Sequence, residues 1–123
     1  MDRDALRELL AKVEAGETLR SSAFSPMKDD PDCRGWARMA HNGSLDAAKA
    51  LHEAVMPGCK VKITDTGEEY EDIGRWAATI NWDHMEWQPT FTAPGPFGHT
   101  GLSNDPARAW LIAILSALIA EVE

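Results

Sequence analysis

The chain is poor in the residues whose spacing announces a reaction. Its 123 residues include two cysteines, Cys33 and Cys59, and four histidines, His41, His52, His84 and His99. Two thiols cannot build a disulfide framework, and they are expected to stay reduced in a cytoplasmic protein. There is no CxxC and no H-x-x-x-H, which excludes the common zinc patterns, and no cofactor motif is present. Basic residues are also scarce, with 12 Lys and Arg against 20 Asp and Glu and a net charge of −8. Unaided grip on nucleic acid needs Lys and Arg to displace counterions, so no direct nucleic-acid partner is expected, and no anionic membrane. The longest apolar run, AWLIAILSALIA, is 12 residues with a serine inside, and a membrane span needs about 20. The opening MDRDALRELLAKVEAG is acidic and amphipathic, unlike a secretory signal. The expectation is a soluble protein of the cytoplasm.

Hydrophobic residues make up 44% of the chain and charged residues 26%, a globular balance that is too apolar for disorder. The length predicts a single domain, 1–123, able to bury a core without staples. Five tryptophans each call for a large buried or interfacial area. The negative charge is concentrated late. Residues 1–58 carry 8 basic and 10 acidic side chains, and residues 59–123 carry 4 and 10. Much of the second excess lies in DTGEEYED, residues 65–72. That run is either a solvated turn or an acidic face, with Glu68, Glu69 and Glu71, that meets a basic protein.

Periodicity places the elements. Leu6, Leu9, Leu10 and Val13 recur at helical spacing over 2–15, with Asp2 or Asp4 at the start and Gly16 at the stop. Residues 17–43, including SSAFSPMKDDPDCRG, are rich in Ser, Asp, Pro and Gly and predict an irregular loop, pinned by Phe24 and Trp36. Within it, GWARMAH is either a short helix or an extended segment. Ser44 is a good N-cap for a helix whose stripe is Leu45, Ala48, Leu51 and Val55 and whose end is Pro57-Gly58. Alternation then predicts strands in CKVKIT, RWAATINW and MEWQPTFT, the last two joined at Asp83-His84 as a hairpin. TAPGPFGHTGLSNDP predicts a loop. A closing helix starts near Asn104 or Asp105 with Pro106 early. Its apolar residues run around its girth, so it is either sandwiched in the core or shared with a second copy as a homo-oligomer interface. The order α-α-β-β-β-α predicts an α+β two-layer sandwich, a small antiparallel sheet with helices packed on one face.

LRELLAKVEAG, SLDAAKALHEAVMPG, a tryptophan-bearing strand and PARAWLIAILSALIA, in that order, resemble small proteins of phages and prophages of alphaproteobacteria, the phage ABA sandwich domain. The resemblance covers roughly residues 4–16 and 43–123. It implies a fold and an origin among accessory phage proteins. It brings no catalytic motif and no functional residue.

Candidate chemistry is therefore local. DDPDC offers Asp29, Asp30, Asp32 and Cys33, a hard-cation look without the full calcium-loop pattern. Cys33 with a histidine would make a nucleophile pair only if the fold joined them. GPFGHTGLSND leads into a helix N-terminus, where free N–H groups attract anions, and Arg108 one turn in adds a fork for phosphate. In CRGWARM, Arg34, Trp36 and Arg38 have the chemistry to pair with and stack on a nucleotide. The expected function is non-enzymatic: antagonism of host antiviral defence by binding, either capture of a nucleotide-like signal through Arg34, Trp36, Asn104 and Arg108, or inhibition of a host defence protein, as an anti-CRISPR does, through Glu68, Glu69 and Glu71. A small virion or assembly protein is a further alternative.

Overall fold

A computed structural model describes residues 2–57, 59–65, 76–82 and 98–121. Among these residues four helices and three strands follow in the order α1 (Arg3–Glu14), α2 (Pro31–His41), α3 (Leu45–Val55), β1 (Cys59–Asp65), β2 (Trp76–Trp82), β3 (Gly98–Ser103) and α4 (Pro106–Glu121), with a short 3-10 turn over Ser21–Phe24. The strands form an antiparallel sheet in the order β1-β2-β3. The result is an α+β fold with helices packed against a small antiparallel sheet.

The helix ends follow the capping chemistry of the sequence. The Asp2 carboxylate accepts from the backbone N–H groups of Asp4 and Ala5 at 3.0 and 3.4 Å, and α1 stops at Gly16, whose φ of +72° suits the residue beyond a helix end. Ser44 Oγ accepts from Ala47 N–H at 3.2 Å to start α3. Leu6, Leu9 and Val13 of α1 are buried. In α3 the buried residues are Ala47, Ala48, Leu51 and His52, while Leu45 is 45% exposed. Ala48 and Leu51 of the expected stripe thus face inward, while its first residue, Leu45, lies outside the buried face, which takes in Ala47 and His52 instead.

Two expected loops contain regular structure. Much of 17–43 is ordered by the 3-10 turn and by α2, giving three helices before the sheet instead of two. Asp30 caps α2 by accepting from Asp32 N–H, and Pro31 occupies the first helical position, where its missing N–H is harmless. DDPDC is thus a helix start. GWARMAH lies wholly within α2. The second correction is β3. GHTGLS, expected to be loop on its glycines, pairs with β2 from Trp76↔Ser103 to Asn81↔Gly98. Gly101 is required there. A Cβ at that position would fall 2.1 Å from the Ala109 carbonyl oxygen and 2.6 Å from the Ala113 nitrogen. The glycine lets β3 lie directly on the backbone of α4. The hairpin at Asp83-His84 and the strand over 85–92 lie outside the described residues.

The closing helix is apolar all round because it is surrounded. α4 packs against β2 and β3 on one side and against α1, α2 and α3 elsewhere. Leu111, Ile114, Leu115 and Leu118 are buried, as are Trp110 and Ile112 on the other flank. Ser116 turns its hydroxyl back to the Ile112 carbonyl at 2.9 Å, so it adds no unsatisfied group. The apolar residues of α4 from Ala107 to Ile119 are covered within one chain.

Candidate functional site

The ends of α1, α2 and α4 meet at a polar junction. Arg108 extends from the first turn of α4 and donates from Nε and Nη2 to the His41 carbonyl at 3.1 and 2.9 Å. That carbonyl ends α2, where the helix leaves unpaired oxygens and negative potential. Nη1 of the same guanidinium lies 3.4 Å from where a Cβ on Gly16 would stand, so α1 ends against it. Asp105 caps α4 by accepting from Arg108 N–H at 3.0 Å. Its other carboxylate oxygen lies 3.0 Å from a Cβ position on Gly43, which admits the α2–α3 turn at φ +106°.

The residues expected to bind a nucleotide are not brought together. Arg108 is engaged by the fold, and the helix N-terminus beside it already holds the Asp105 carboxylate, which opposes an incoming anion. Asn104 is exposed in the bend before α4. Arg34 lies seven residues before His41 on α2, about 10 Å along the axis at 1.5 Å per residue, and its Nη1 pairs with Asp29 Oδ1 at 2.6 Å. Trp36 is half-buried against the core. Glu68, Glu69 and Glu71 lie outside the described residues.

His41 and His52 serve packing. Trp110 Nε1–H donates to His52 Nδ1 at 3.1 Å. An indole N–H can only donate, so the His52 proton sits on Nε2 and goes to the Cys59 carbonyl at 2.8 Å. This pair ties α4 to α3 and to the start of β1. His41 is buried, with Nε2–H donating to the Glu17 carbonyl at 2.6 Å. Its Nδ1 has no partner among the described residues. Cys33 is buried and donates its thiol to Asp30 Oδ2 at 3.4 Å. Burial pushes this thiol above its usual range, and the Asp30 bond and charge add to the effect. A raised thiol is a poor nucleophile. Among the described residues, no group of three or more His, Cys, Asp or Glu is placed to hold a metal ion, and no helix is long and apolar enough to cross a membrane.

One concave feature among the described residues is one the sequence did not reveal. A cleft of about 530 Å³ opens between the start of α1, the 25–29 turn and the ends of α3 and α4. Met27, Ala54, Val55 and Leu118 form an apolar floor, and Asp2, Lys28 and Asp29 stand on the rim. Its walls come from four separate parts of the chain, so no local motif could mark it.

No protein-family model matches the chain, and no curated protein and no solved structure matches it.

Proposed function

We propose that this is an accessory protein of phage origin that antagonises host antiviral defence by binding a host protein, without catalysis. The observation that carries the binding reading is the cleft at the start of α1. An apolar floor ringed by charges of both signs is the form of a small protein-recognition pocket, in which an inserted side chain gives affinity and the rim sets orientation. The rim carries two carboxylates, Asp2 and Asp29, to one ammonium, Lys28. Asp29 is already paired with Arg34 and Asp2 caps α1, so it is the net charge of −8 that favours a partner presenting an apolar side chain beside a basic one. Capture of a nucleotide signal has less support. The cationic groups it would use, Arg34 and Arg108, are engaged with Asp29 and with the His41 carbonyl. The phage origin rests on the motif resemblance.

The test is phage plating on bacteria carrying defined defence systems, with and without the protein. Wild type should restore plating in at least one defended strain, and Ala54→Arg, which fills the cleft floor, should not. No restoration in any defended strain would overturn the antagonist reading. Full restoration by Ala54→Arg would overturn the cleft as its contact.

A further inference from the structure

α2 buries Cys33, Ala37, Ala40 and His41. At 3.6 residues per turn these residues centre on one side of the helix, and Gly35 stands in the middle of the opposite side. Around Gly35 on that outer face are Pro31, Asp32, Arg38 and Met39, all exposed. Met39 is 52% exposed and, with Leu45, is one of two large hydrophobic residues so placed among the described residues. Gly35 has no atom within 4 Å of an added Cβ. Nothing within the described chain therefore requires glycine there, although glycine is the weakest helix former after proline. A bare backbone at the centre of an outward face, beside a large apolar side chain, admits the close approach of another helix.

The charges identify that helix. Asp32 precedes Gly35 by three residues and Arg38 follows it by three. In an antiparallel pair of α2 helices with a two-fold axis passing at Gly35, Asp32 of each copy stands level with Arg38 of the other, and Pro31 stands level with Met39. A parallel pair would set each charge against its own sign. Self-complementarity of this kind is what a two-fold interface demands. Neither Asp32 nor Arg38 forms an ion pair among the described residues, whereas the neighbouring Arg34 is held by Asp29. We infer that the outer face of α2 is a self-association surface on which two copies of the chain pair antiparallel about Gly35. This surface is separate from the cleft, and its test does not depend on the proposed function.

Sedimentation velocity across a wide concentration range reads the association directly. Wild type should form a reversible dimer that weakens as salt rises. Gly35→Gln has room inside the chain and a better helix propensity, so it should stay folded and remain monomeric. Asp32→Arg and Arg38→Asp should each raise the dissociation constant roughly tenfold, since each change is repeated in both halves of the pair. Mixing those two variants should restore pairing, because every charge in the mixed dimer then faces its opposite. A wild type that stays monomeric throughout would overturn the inference. So would a dimer that Gly35→Gln leaves intact, or a mixture no tighter than its components.

Discussion

Replacing Arg108 tests whether this side chain belongs to the fold or to a ligand. In Arg108→Met the stem remains, and the two bonds to the His41 carbonyl are lost. A hydrogen bond from a charged donor contributes about 1.5–3 kcal/mol, and a cation at a helix C-terminus adds roughly 0.3–1 kcal/mol. The two bonds share one acceptor, and Arg108 is only half-buried, so they count as little more than one good interaction. The expected loss is about 2–3 kcal/mol, a large share of the roughly 5–15 kcal/mol that holds a domain of this kind. Arg108→Lys keeps the charge but not the planar fork, and should lose about half as much. Urea unfolding followed by tryptophan fluorescence, with far-UV circular dichroism as a second probe, measures both. A loss below about 0.5 kcal/mol for Arg108→Met would refute the assignment and return the guanidinium to the list of groups free to meet a ligand.

Other positions give independent checks. Gly101→Ala drives a methyl group into the backbone of α4, so it should lose more than about 3 kcal/mol in the same unfolding assay or fail to fold. Trp110→Phe removes the donor to His52 Nδ1, leaving a buried acceptor unpaired, and should lose about 2 kcal/mol. Cys33 is buried with a raised pKa, so in native protein it should react with a thiol reagent far more slowly than after unfolding. The neutral thiol is favoured in the fold, so its contribution is full below the unfolded thiol pKa and is lost as pH rises through the folded value. Cys33→Ser should therefore flatten the alkaline arm of the stability–pH curve, and an unchanged arm would refute the point.

Where the fold was legible, a single local rule sufficed. Asp2, Ser44 and Gly16 cap their helices by contacts within three residues, and β1 and β2 alternate on a period that needs no partner to be read. Where it was not legible, composition pointed the wrong way. The glycines of GHTGLS resemble loop chemistry, yet Gly101 is there because α4 passes directly over it, a fact fixed by packing between distant elements. Asp30-Pro31 is a helix start of ordinary form, masked by the Ser, Asp and Pro that surround it. The candidate site was the least legible part. Arg108 beside a helix N-terminus has the residue types of a phosphate site, and only the long-range contact to His41, 67 positions away, shows what the guanidinium holds. The cleft gathers residues from positions 2, 25–29, 54–55 and 118, a grouping no pattern in one sequence contains.

Native mass spectrometry of the protein purified from defence-active, phage-challenged cells bears most directly on the reading of a binding protein whose Arg108 serves its fold. The spectrum should show the bare polypeptide as monomer and dimer, with no small molecule retained, and Arg108→Lys should give the same species. A stoichiometric nucleotide-sized mass that disappears in Arg108→Lys would contradict it and make the junction of α1, α2 and α4 a ligand site.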